Sequence, residues 1–255
     1  MTAESPLTHW EGEPVRVWEG VWGIPELTVL NTVDSTNLVI RRRSELPQDF
    51  TTVIAEKQSA GRGRAGAAWS SPAGGLFMSW VFRPRSAAAT PLVPLRVGLA
   101  VAKAIEGLHG IEVGIKWPND VWVDGRKLAG ILCEGGPNGV VVGVGINVRV
   151  TPGDISFRRA PIGLDERVGA ATSRAGLAGA ILKGAQELLG RGGGVLRPEE
   201  LAELAQRDVL RDRLIRVVPG PQGQAIGMDE HGRLGIRAED EIQRVSSGSI
   251  ELLDD

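Results

Sequence analysis

The groups in this sequence best suited to chemistry on an anion are two arginines in a glycine-rich run, Gly61-Arg62-Gly63-Arg64-Ala65-Gly66, and the nearby pair Asp120 and Lys127. Guanidinium forks match carboxylate and phosphate oxygens, and glycine lets backbone amides approach as well. The run also fits GxGxxG after a strand-like segment, the pattern of a dinucleotide-binding turn. The residues that follow, AAWSSPAGG, cannot open a helix, so that context fails. Taken alone, the loop is equally a solvated turn carrying two surface arginines.

Asp124-Gly125 between alternating runs signals a two-residue hairpin. That turn pairs Val123 with Arg126, Trp122 with Lys127 and Asp120 with Ala129, which puts Asp120 and Lys127 on one face, about 7–8 Å apart at the backbone. An ammonium and a carboxylate so placed can hold a phosphate and its magnesium ion. A surface ion pair is the plainer reading of the spacing. Ser35, Thr36 and Asn37 after Asp34, with Gln58 at the end of a strand-like run, supply neutral hydrogen-bonding groups whose commoner roles are capping and strand-end solvation. Asn147 closes the apolar run Gly139 to Val148 and either reads a nucleobase edge or satisfies a local backbone group. His9, His109 and His231 are scattered and read as surface residues. Trp10, Trp18 and Trp22 read as a packing element.

The elements that must hold these groups alternate between helical and strand-like patterns. A short amphipathic helix is predicted from Asp34, strands over 51–57 and 76–82, a helix over about 92–108, two strands flanking Asp124-Gly125, and a buried strand through GVVVGVGINV. Helical patterning returns in AGLAGAILKGAQELL and in PEELAELAQRD, which has a proline and acids in its first turn. From Arg211 the chain reads as short strands and turns, the pattern of a small separate β-barrel. The expected organisation is an α/β (α+β) catalytic domain over 1–207, with an N-terminal extension over 1–25, and a C-terminal domain over 208–255.

Composition excludes several classes. In 255 residues, 29 Lys plus Arg stand against 31 Asp plus Glu, so the net charge of −2 offers no global field for a polyanion. The single cysteine, Cys133, permits no intrachain disulfide, and with three histidines no Cys/His zinc cluster can form. A reducing, cytoplasmic setting is expected. The N-terminus lacks the basic start and apolar run of an export signal, and the apolar run Gly139 to Val148 is shorter than the ~20 residues a bilayer needs, so no membrane association is expected.

Taken in order, DSTN, EKQSAGRGRAG with Trp69 after it, KWPNDVWVDGRKLAGIL and VVGVGINV resemble the biotin protein ligases over about Asp34 to Val148. The segment GQAIGMDEHGRLGIR resembles that family's small SH3-like terminal domain. The resemblance implies a mixed-sheet catalytic fold related to class II aminoacyl-tRNA synthetases. It also implies ATP-driven formation of biotinyl-5'-adenylate with Mg2+, then transfer of biotin to a lysine of the biotin carboxyl-carrier domain of a biotin-dependent carboxylase. By position, Ser35, Thr36, Asn37, Gln58, Arg62, Gly63, Arg64, Lys127 and Gly130 fall at the biotin site. Arg62, Arg64, Trp69, Lys116, Asn119, Asp120, Lys127 and Asn147 fall in the ATP region. Lys127, Arg62 and Asp120 are the expected catalytic groups, with Asp120 aiding deprotonation of the acceptor lysine. Only 33 residues precede Asp34, too few for the DNA-binding domain of the regulatory members, so no DNA partner is expected, and the chain is read as a monomer or homodimer. Lipoate protein ligase, a non-catalytic sensor and an RNA-binding protein are the competing readings.

Overall fold

The run Leu76–Phe82, LFMSWVF, has one polar side chain, Ser79, and is buried along its whole length, which suits only a central strand. The computed structural model, which describes residues 5–43, 47–136, 139–149, 160–239 and 241–253, places it there. The chain begins with β1 (His9–Trp10), β2 (Glu13–Pro14) and α1 (Val15–Trp22), then β3 (Leu27–Val33), α2 (Thr36–Arg41), β4 (Thr52–Gln58) and β5 (Leu76–Phe82). Next come α3 (Val93–His109), β6 (Gly114–Lys116), β7 (Asp120–Val123), β8 (Arg126–Gly136) and β9 (Gly139–Ile146). The helices α4 (Leu164–Val168), α5 (Arg174–Gly190) and α6 (Pro198–Gln206) follow. The end of the chain forms β10 (Leu214–Val218), β11 (Gln222–Met228), β12 (Leu234–Ala238), β13 (Glu241–Val245) and β14 (Ser249–Leu252).

Seven strands form one sheet in the order β3-β4-β5-β9-β8-β7-β6, with β3 and β4 parallel and every other neighbouring pair antiparallel. Its two faces are unlike. Leu76, Met78, Trp80 and Phe82 of β5 and Val140, Val142, Val144 and Ile146 of β9 join the main core with residues of α3 and α5. The opposite face carries a small cluster, Leu30, Val53, Val81 and Val141, packed around Ile40 of α2. Beyond that cluster the second face is open, and the site forms there.

The predicted strands and long helices are found within a residue or two. The helix from Asp34 is shorter than its pattern, ending at Arg41, and Leu46 lies outside the described residues. The segment Ala87–His109 is long and apolar enough to cross a membrane by length and composition, with mean hydropathy 1.4 over an 18-residue window. Its apolar window is 72% buried inside the protein. The five C-terminal strands form an antiparallel sheet in the order β13-β12-β11-β10-β14. It is not separate in its packing, because Ile215, Val217, Ala225, Leu234 and Ile236 belong to the same core cluster as α3. Residues 207–209 bond to β6 on the way: Ile115 N donates to Arg207 O at 2.6 Å and Val209 N to Ile115 O at 3.2 Å.

The tryptophans are a packing element, as expected: Trp18 stacks on Trp22 at 5.7 Å and Trp10 meets Trp22 edge-on at 6.1 Å. They frame a buried ionic cluster. The Arg174 guanidinium bonds Glu11 Oε1 and Glu56 Oε1, each at 2.8 Å, and lies 5.4 Å from the Trp10 ring. Burial alone would lower the Arg174 pKa, but hydrogen bonds and charge from Glu56 and Glu11 raise it. Replacing Arg174 with alanine leaves two carboxylates facing each other, and denaturant titration is expected to show a loss of about 3–5 kcal/mol. A second buried pair, Arg96 and Glu200, is 1% exposed on each side, with Nε to Oε1 at 3.0 Å. Burial acts to raise the Glu200 pKa, yet bonds from Arg96 and the Arg197 amide hold it below the ordinary glutamate value of 4.5. A folded-state pKa depressed in this way stabilises the protein above the unfolded value and is lost as pH falls. The wild type is therefore expected to lose stability as pH falls below 4.5, and urea midpoints of Glu200→Gln should show a flatter acid limb.

Candidate functional site

The hairpin supplies the first part of the site, with one change to the expected register. Val123 pairs with Arg126 and Trp122 with Lys127, but Val121 then pairs with Ala129 and Asp120 with Gly130. Leu128 is the extra residue of a β-bulge, and Leu128 and Ala129 are both fully buried. A bulge of one residue shifts every later side chain to the other face. Asp120 therefore opposes Gly130 rather than Ala129, and Lys127 and Gly130, three apart, share the open face. Asp120 and Lys127 do meet, Nζ to Oδ1 at 2.8 Å.

The arginine loop makes the second part. Arg62 bridges to Ala68, Gly63 N donates to Ala67 O at 2.7 Å and Trp69 N to Gly61 O at 2.9 Å, so the run closes on itself as a small hairpin. No α-helix opens there, which removes the dinucleotide turn. The loop delivers Trp69 onto the sheet. Glycines make this possible: on β9, Gly143 and Gly145 alternate with Val142 and Val144, and Gly145 pairs with Gly130 of β8. A methyl group built on Gly145 would come within 2.5 Å of Trp69 Nε1, and one on Gly130 within 3.0 Å of the indole. Lys127 Nζ lies 5.1 Å from the same ring. The Trp69 indole N–H is buried and has no hydrogen-bond partner among the described residues.

The start of α2 makes the third part. Ser35 occupies the N-cap position without a side-chain capping bond, so capping is not its role. Ser35, Thr36 and Asn37 are buried, at 3%, 4% and 3% exposure. Gln58 Oε1 accepts from Thr36 N at 2.9 Å and from Thr36 Oγ1 at 3.2 Å, while Gln58 Nε2 donates to Ser71 Oγ at 2.8 Å. Ser79 Oγ lies 2.7 Å from Thr36 Oγ1 and 2.6 Å from Asn37 Oδ1. Asn37 Nδ2 donates to Glu134 Oε2 at 2.8 Å, and Glu134 Oε1 pairs with Arg41 at 2.8 Å and Arg62 at 3.2 Å.

These parts border one open cleft. Of the residues expected from sequence, Ser35, Thr36, Asn37, Gln58, Arg62, Gly63, Trp69 and Gly130 line it. Lys127 and Asp120 stand beside it. Arg64 Nη1 donates to Asn119 Oδ1 at 3.2 Å and to Gly248 O at 3.3 Å. Burial pushes the Arg64 pKa down, with the Asp120 carboxylate acting against it. Asn119 Nδ2 donates to Ile131 O at 2.7 Å, which anchors the turn before β7. Lys116 does not join the cleft; its ammonium lies 3.1 Å from Ile250 O and 4.8 Å from the Trp122 ring. Asn147 is buried just past β9, and its side chain has no hydrogen bond among the described residues. Sequence reasoning missed Ser79, Glu134, Gly143 and Gly145. Ser79 had a signal, since a lone hydroxyl in a buried strand needs a partner. So did the glycines, whose period of two clears one face of a strand.

The chain is similar to known proteins in several ways. A model of the Biotin/lipoate A/B protein ligase family matches residues 29–150. The "Bifunctional ligase/repressor BirA" of Bacillus subtilis (strain 168) is 33% identical over 217 residues, 79% of this chain, which spans 66% of that relative's length. The "Biotin--[acetyl-CoA-carboxylase] ligase" of Mycobacterium tuberculosis is 33% identical over 240 residues, 89% of each chain. Among solved structures, the biotin protein ligase from Aquifex aeolicus in complex with biotin and ATP superposes with a TM-score of 0.79 at 28% identity, covering 90% of this chain and 99% of that one.

Proposed function

Because the chain belongs to the biotin/lipoate A/B protein ligase family, we propose that it is a biotin protein ligase, which activates biotin with ATP and transfers it to one lysine of a carboxylase's biotin carboxyl-carrier domain. The observation that carries this reading is a pocket of neutral hydrogen-bonding groups opening onto fixed cations. Thr36, Asn37 and Gln58 are cross-linked through Ser79 and Ser71, which suits an uncharged ureido ring. At its mouth stand Arg62 and Lys127, which suit a carboxylate next to a phosphate.

In the first step a biotin carboxylate oxygen attacks the α-phosphorus of ATP and pyrophosphate leaves. Two anions must approach, and the Lys127 ammonium, held by Asp120, offsets their repulsion and stabilises the charge that develops. Arg62 and the loop that carries it border the cleft and exclude water from the mixed anhydride. In the second step the acceptor lysine amine attacks the acyl carbon and AMP leaves, with Asp120 as the nearby proton acceptor. Trp69, Asn119 and the unengaged Asn147 amide are the groups for the adenine side. Magnesium, when bound, would be held by a carboxylate together with substrate phosphates, for which Asp120 beside Lys127 is the nearby group, and would supply charge neutralisation at the phosphates.

Mass spectrometry of a purified carrier domain, incubated with this protein, ATP, magnesium and biotin, tests the reading. A biotin-sized gain on one lysine is expected. Gain only with lipoate, or none with biotin, overturns it.

A further inference from the structure

Glu134 does not line the cleft, yet its carboxylate joins three segments that border it. It lies on β8, and its side chain is 14% exposed. Oε2 accepts from Asn37 Nδ2, while Oε1 accepts from Arg41 at the end of α2 and pairs with Arg62 in the loop. The bond to Asn37 dictates the orientation of that amide. With Nδ2 turned to Glu134 and to Leu132 O at 3.4 Å, Oδ1 faces Ser79. A flip would set Oδ1 against the carboxylate and the Leu132 carbonyl, acceptor against acceptor. Arg62 is held by one corner of its fork, which leaves the remaining donors for an anion.

We propose, resting on the ligase reading above, that Glu134 is a positioning residue for the biotin end of the site: it holds Arg62 at the cleft and fixes the Asn37 amide, so both groups meet biotin already arranged. Such pre-arrangement removes an ordering cost that would otherwise be charged to binding.

Glu134→Gln keeps the size and an acceptor for Asn37 but removes the charge that holds Arg62, and Glu134→Ala removes both. Arg41→Ala is the control, since Arg41 touches Glu134 and not the cleft. Biotin titration calorimetry, steady-state kinetics and thermal melts would be run on each. For Glu134→Gln the biotin KM is expected to rise about tenfold, with kcat and the ATP KM within about twofold; Glu134→Ala should show the larger rise and Arg41→Ala about none. On an Arg62→Ala background, Glu134→Gln should add less than about twofold, because the route through Arg62 is already lost. A Glu134→Gln protein with the wild-type biotin KM overturns the proposal, as does a penalty that persists in full on the Arg62→Ala background. Wild-type protein that binds no biotin overturns the ligase reading itself, and the wild-type titration reads that outcome separately.

Discussion

Replacing Lys127 with alanine is expected to slow formation of the adenylate by about a hundred- to a thousandfold, the size of effect seen when one fixed group that stabilises developing charge is removed. The lysine is held by Asp120 at 2.8 Å and steadied by the Trp69 ring, so its ammonium is already in place when the two anions meet. Burst measurements of pyrophosphate release would show the loss. Biotin affinity, read by calorimetry, should change far less, because the hydrogen-bonding groups around Thr36 and Gln58 stay intact. Equal losses in both quantities would place Lys127 in ground-state binding instead.

Gly143→Ala should weaken biotin binding by about a hundredfold, or ~2.8 kcal/mol. A methyl group there would collide with Asn37 Oδ1 and lie 3.1 Å from Asn37 Cγ, so the amide must leave its bonds to Ser79 and Glu134. Gly145→Ala, one step along the same face, meets the Trp69 indole instead. Its effect should fall on the ATP KM and leave biotin affinity nearly unchanged. Calorimetry with each ligand separates the two, and identical profiles for the two variants would show that strand distortion, not the local contact, is responsible.

Much of this protein was legible from local pattern. The largely apolar run at Leu76–Phe82, the Asp-Gly turn and the helical period of α3 each carry their own short-range cause, and each appears where expected. Lys127 and Asp120 were also placed together correctly, although by a different register. The bulge at Leu128 could not be read from the residues, because RKLAGIL looks the same with or without it. Ser35 shows a related limit: by local rules a serine before a helix is a good cap, and only the tertiary structure shows it buried, lining the cleft and making no capping bond.

Residue types and their spacing along the chain therefore determined the element order, the cations, the neutral hydrogen-bonding groups and the family to which they point, since backbone preference and hydrophobic period act over a few residues. Tertiary structure decided what those groups face. Gly143 and Gly145 become a cleared floor only when β9 lies between β5 and β8, and Glu134 reaches Asn37, Arg41 and Arg62 only when strands distant in sequence are in register. In a pleated sheet a shift of one residue turns a side chain to the opposite face, so a contact across ninety-seven positions of chain, such as Asn37 with Glu134, depends on every pairing between them.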